Sequence, residues 1–104
     1  MGSMRQGDIG DAVEAELRRD LAAAFRVSQR LGLNNGIGNH FSLMLPGDEL
    51  YLLNPRGMLF QELTASSLIV VDYDGRVVRG EGVVRPVAFH IHAPIHKARP
   101  DARC

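Results

Sequence analysis

Apolar side chains recur at three- and four-residue spacing between Asp11 and Leu31, at Val13, Leu17, Leu21, Ala24, Phe25 and Leu31. Glu14, Arg18, Arg19, Asp20 and Arg30 fall between them, so the stretch predicts an amphipathic helix over 11–31. Asp11 followed by Glu14 reads as a variant capping box at its start, and Gly32 supplies a left-handed stop. Beyond Gly32 the period falls to two. Phe41 to Leu45 and Leu50 to Leu53 flank a Pro46-Gly47-Asp48 turn, and Leu68 to Val71 with Val77 to Val78 flank Asp74-Gly75. Both pairs predict antiparallel hairpins. Thr64 is placed to cap a short turn reaching Leu68. Pro86 suits the first position of a last helix running to about Arg99, with Ala88, Ile91, Ile95 and Ala98 as its apolar stripe. Pro94 is expected to kink or divide that helix. Helix, several short strands, helix is the order of an α+β or layered α/β/α domain with antiparallel strands, not of a βαβ dinucleotide fold.

Composition narrows the partners. Twelve Lys plus Arg balance twelve Asp plus Glu in 104 residues, without a basic arm, so nucleic acid and anionic membrane are not expected to bind. No apolar run approaches the ~20 residues of a membrane span, and the N-terminus lacks the features of a secretory signal, which reads as cytoplasmic. A single cysteine, Cys104, excludes an internal disulfide. Residues 1–10 read as a tag remnant and flexible N-terminus ahead of one domain over 11–104.

Chemistry concentrates in two places. Asn34 to His40 holds three asparagines and two glycines, so Gly36, Gly38, Asn39 and His40 form a loop able to turn backbone N–H groups and an imidazole toward an anion, or else a plain helix-to-strand turn. Gly36-Ile37-Gly38 is not a dinucleotide fingerprint, because it follows a helix and lacks the third glycine. His90, His92 and His96 crowd the last helix. His92 and His96, four apart, share a face and could chelate a metal, but two ligands do not complete a site, and packed or solvated histidines are the alternative. Arg56 and Arg85, beside Pro55 and Pro86, are pre-positioned forks for a carboxylate or phosphate, or simply solvated. Glu81 is either a loop acid or a distant contributor.

Taken together, the blocks Leu31 to Ser42, Leu53 to Phe60, Ile69 to Gly75 and His92 to Asp101 resemble the class II aldolase/adducin family, in family order across most of the chain. The resemblance implies a layered α/β/α fold and, for the complete protein, a lyase of aldolase or decarboxylase type that cleaves a carbon–carbon bond in a small anionic substrate. It implies a divalent metal, zinc first and manganese second, and a homo-oligomer; the alternative is a non-catalytic adducin-like interaction domain. By the same resemblance Gly36, Gly38, Asn39 and His40 form the anion loop, Asn54, Arg56 and Gly57 a second wall, and His92 assists catalysis from the helix. The family's metal histidines correspond to positions after Cys104, so the residues present are expected to hold no metal and to be catalytically inert on their own. Ala88 stands where the aldolases carry an acid.

Overall fold

The computed structural model describes residues 6–104. Helix α1 runs Gln6–Arg30 and is followed by strands β1 Ser42–Met44, β2 Leu50–Leu53, β3 Ile69–Asp72 and β4 Val77–Arg79, with helix α2 at Pro86–Ala98. Two single-turn 3-10 helices, Phe60–Glu62 and Ala65–Ser67, lie between β2 and β3. The strands form an antiparallel meander in the order β1-β2-β3-β4, with Tyr51 opposite both Met44 and Val71.

Alternation along these strands divides the core into two layers. Leu52 and Val70 face α1, where they pack with Leu21, Phe25, Phe60, Leu63 and Leu68. Tyr51, Leu53, Ile69 and Val71 face the other way and pack with Met44, Ala88 and Ala93. Because both faces are covered, β2 and β3 read as near-continuous apolar runs, which is the pattern of a sheet sandwiched between helices. Phe25 stands at the centre of the first layer, its ring 4.9 Å from Phe41 and 4.6 Å from Phe60. The α/β/α layering expected from the sequence is therefore present.

Three local expectations change. Helix α1 begins at Gln6, so residues 6–10 are helical, whereas residues 1–5 of the expected flexible terminus lie outside the described residues. Asp11 is then inside the helix and caps nothing at its start. Glu14 instead pairs with Arg18 at 3.0 Å and with Arg79 of β4, tying the helix to the sheet. Arg18 also donates to the carbonyls of Ala65 and Leu68 at 3.0 and 2.7 Å, which fixes the 3-10 segment against α1.

Helix α2 is continuous through Pro94, which lies on its exposed side. Its buried face is Ala88, Ala93 and His96; Ile91 and Ile95, expected to be core, are about half exposed at 46% and 50%. Where α2 meets the sheet, Ala88 and Ala93 pack closely with Tyr51, Leu53, Ile69 and Val71, and Phe89 packs against the same cluster. Gly82 shows similar crowding: a Cβ there would come within 2.6 Å of the Pro55 Cβ, at a φ of +143°. Among the described residues no helix is long and apolar enough to cross a membrane.

Candidate functional site

Extended backbone from His40 into β1 places His40 and Ser42 on one face, two residues apart, and α2 places His92 and His96 on one face, four apart. The fold lays these two pairs against each other. His40 Nδ1 is 2.6 Å from His92 Nε2, His92 Nδ1 is 2.5 Å from Ser42 Oγ, and the same hydroxyl is 2.7 Å from His96 Nε2. His96 Nδ1 donates to the carbonyl of Ala102 at 2.9 Å. Ser42 and His96 are buried, whereas His40 and His92 are half-buried. His90, on the opposite side of α2, is exposed and takes no part.

Asn54 joins the loop to this cluster. Its carboxamide accepts from Phe41 N–H at 3.2 Å and donates to the Asn39 carbonyl at 3.1 Å, so β2 holds the loop on both sides of His40. The loop also bonds to itself. Gly38 N–H donates to the Asn35 carbonyl at 3.1 Å, and the Asn39 side-chain oxygen accepts from Asn35 N–H. Gly38 N–H is thus not available to an anion, contrary to the sequence expectation, because the tight turn uses it. Gly36 does adopt the positive φ, +56°, that the turn requires. Among the described residues the N–H groups of Gly36, Ile37, Asn39 and His40 bond to no protein acceptor.

Electrostatics favour neutral imidazoles facing a cation. Burial, and then the positive charge of Arg85, hold the His40 pKa below its usual value. Burial, and then His40 and His96, push His92 down to about 4. Arg85, at the turn before Pro86, has no hydrogen bond or ion pair to its side chain among the described residues, so it remains free to take an anion beside His40.

Sequence reasoning singled out Asn39, His40, Asn54 and His92, and the fold brings all four together. Among the described residues the Arg56 side chain makes no bond to them, and Gly57 offers no side chain. Arg56 is exposed, its N–H donates to the Val83 carbonyl at 2.9 Å, and Gly57 makes the turn at φ +90°. Glu81 is exposed in the facing loop. Ala88 is buried in the core against the sheet, so that turn of α2 contributes packing rather than proton transfer. Ser42 was missed, although its two-residue spacing from His40, set against the four-residue spacing of His92 and His96, was a usable signal.

The residues present do not fit a metal ion. Among the described residues no group of three His, Cys, Asp or Glu side chains is placed to hold one. His92 and His96 both turn their nitrogens to hydrogen-bond partners instead of toward a shared point. A separate cleft of about 230 Å³, lined by Glu14, Leu45, Leu50 and Arg79, lies between α1 and the sheet and includes none of the histidines.

The sequence pattern described as the Class II Aldolase and Adducin N-terminal domain matches residues 19–104. The chain belongs to this family. It is similar to an aldolase II superfamily protein of Pseudomonas syringae, with 41% identity and a TM-score of 0.82 over 88% of this chain and 38% of that one. An L-fuculose 1-phosphate aldolase from Glaciozyma antarctica shares the fold at a TM-score of 0.84 and 30% identity, over 99% of this chain and 42% of that one. Alpha-adducin of Rattus norvegicus is 39% identical over 90% of this chain and 13% of its own length. The chain spans 36% and 38% of the length of two class 2 aldolase-type relatives, from Pseudomonas aeruginosa and Caulobacter vibrioides.

Proposed function

We propose that this chain is the N-terminal, anion-binding part of a lyase of aldolase or decarboxylase type that cleaves a carbon–carbon bond in a small anionic substrate. The observation that carries the reading is Arg85, unpaired among the described residues and near enough for its charge to lower the His40 pKa, together with a loop whose four N–H groups bond to no described acceptor. A cation, backbone donors and an imidazole are groups that suit a phosphate or carboxylate. Asn54 holds the loop in register. The metal-dependent chemistry implied by the family would draw on residues other than these, since the described side chains offer no ion site, and the part assigned to this chain is binding and orientation. Family membership and the fuculose-phosphate aldolase neighbour support a phosphorylated sugar as the first substrate to try.

An adducin-like interaction domain is the second reading. It is favoured by the similarity to alpha-adducin and by the absence of an acid at Ala88. Calorimetric titration of this chain with L-fuculose 1-phosphate and with inorganic phosphate separates the two. The lyase reading expects saturable phosphate binding that weakens about tenfold or more in Arg85→Ala, since a hydrogen bond to a charged group contributes about 1.5–3 kcal/mol. Absence of binding by either ligand to the folded chain, or binding indifferent to Arg85→Ala and His40→Ala, would overturn it.

A further inference from the structure

Four hydrogen bonds run in series from the half-buried His40 to the backbone: His40 to His92, His92 to Ser42, Ser42 to His96, and His96 to the Ala102 carbonyl. The last link sets the direction of the rest. A carbonyl only accepts, so His96 Nδ1 carries a proton, and in a neutral ring its Nε2 is then a bare acceptor. Ser42 therefore donates its hydroxyl proton to His96 and accepts from His92 Nδ1–H. That leaves His92 Nε2 bare, and it accepts from His40 Nδ1–H. Every donor in the chain is used once, and one nitrogen remains over, His40 Nε2.

The opposite polarity requires two protons on His96. That imidazolium would be 3% exposed, with Ser42, His92 and the Ala102 carbonyl around it and the Tyr51 ring centroid 5.5 Å away. Arg85 acts on His40 as a positive charge, Tyr51 of β2 stays protonated because burial, then Asp72 and Tyr73, raise its pKa to about 12, and Asp101, next to Ala102, is paired with Arg99. No carboxylate bonds to any member of the chain among the described residues. A buried charge without a counterion is costly, so the neutral polarity prevails.

We infer that Ser42, His92 and His96 are positioning residues that hold His40 as its Nδ1-protonated tautomer, so that His40 meets a ligand through a bare Nε2 that accepts a proton or a hydrogen bond. The arrangement assigns the site a ligand with a donor group, such as a hydroxyl or a protonated phosphate oxygen, next to the anionic oxygens taken by Arg85. The use of Nε2 rests on the binding reading above; the tautomer does not. Without the chain, imidazole is free to distribute between its two neutral forms.

Nitrogen-resolved NMR of the folded chain without ligand, at about pH 8 where the ordinary histidine is neutral, reads the tautomer directly. His40 and His92 are each expected to show a protonated Nδ1 and a bare Nε2, and His96 the same pattern. An Nε2-protonated His40, or a doubly protonated His96, would overturn the proposal in the unaltered chain without any variant. Ser42→Ala should release His40 into a mixture of tautomers while His96 Nδ1 keeps its proton on Ala102; an unchanged His40 in a folded Ser42→Ala would refute the positioning role. Inorganic phosphate then separates the two readings. Phosphate that binds and shifts His40 Nε2 supports the assigned use, and phosphate that binds without moving it removes that use. Failure of phosphate to bind at all counts against the anion site and leaves the tautomer result standing.

Discussion

Acid should loosen this domain well above the pH at which its carboxylates titrate, and His92 is the reason. Its ring is held down to about 4 from an ordinary 6.5, by burial and then by His40 and His96. A folded-state pKa below the unfolded one means that the unfolded chain takes up the proton first. The stabilisation from a neutral His92 is therefore complete above about 6.5 and is lost as pH falls toward about 4. At about pH 5 the two values correspond to a loss of about 2 kcal/mol at face value. Solvent screening at a half-buried ring reduces this to about 1 kcal/mol. For a domain of this size that is a fall of about 4–8 °C in melting temperature between about pH 7.5 and pH 5. His40, also shifted down, adds in the same direction. Glu14 does not interfere: burial raises its pKa, the hydrogen bonds from Arg79 and Arg18 outweigh that and lower it below 4.5, so its contribution is lost only in stronger acid. Urea unfolding followed by circular dichroism at these two pH values, on the wild type and on His92→Gln, provides the assay. The variant should lose at least half of the pH-dependent difference. An equal difference in both proteins, with both folded at about pH 7.5, would refute the argument from His92.

Other outcomes follow from single sites. Tyr51→Phe should be neutral or stabilising by up to about 1 kcal/mol in the same unfolding assay, because the buried Tyr51 hydroxyl has no partner among the described residues; a loss beyond about 1 kcal/mol would mean that the hydroxyl is satisfied. Gly82→Ala should cost about 1–3 kcal/mol, through its positive φ and the 2.6 Å approach to Pro55, and a variant as stable as wild type would contradict that contact. Phe25→Ala, which removes the ring between Phe41 and Phe60, should cost about 3–5 kcal/mol by thermal melt. Arg85→Gln should raise the His40 pKa in an NMR titration, since it removes a positive charge that opposes protonation; no change would separate the two residues electrostatically.

Local periodicity determined a great deal by itself. The three- and four-residue spacing of Leu17, Leu21 and Phe25 defined the face of α1, and the turn residues Pro46-Gly47-Asp48 and Asp74-Gly75 defined the two hairpins, because side-chain direction in a helix or strand depends only on position along it. The order of elements narrowed the fold to an α+β or layered α/β/α domain, and the apolar cover on both sheet faces decides for the layers. Motif blocks grouped Gly36, Gly38, Asn39, His40, Asn54, Arg56, Gly57 and His92 as one candidate site, of which the fold joins Asn39, His40, Asn54 and His92 by hydrogen bonds. What the sequence could not decide was every property that depends on a neighbour far along the chain. The stripe of Ile91 and Ile95 had the periodicity of a core face, yet α2 turns Ala88, Ala93 and His96 to the sheet, where the two alanines pack with Tyr51 and His96 bonds to Ser42. The sequence around Gly38 suits an open donor, yet its N–H is closed onto the Asn35 carbonyl. Ser42 is an unremarked serine in the sequence and the hinge of the histidine chain in space, 50 and 54 residues from the imidazoles it connects. Hydrogen-bond direction along that chain is set by one backbone carbonyl, Ala102, and only the folded arrangement brings that acceptor within 2.9 Å of His96.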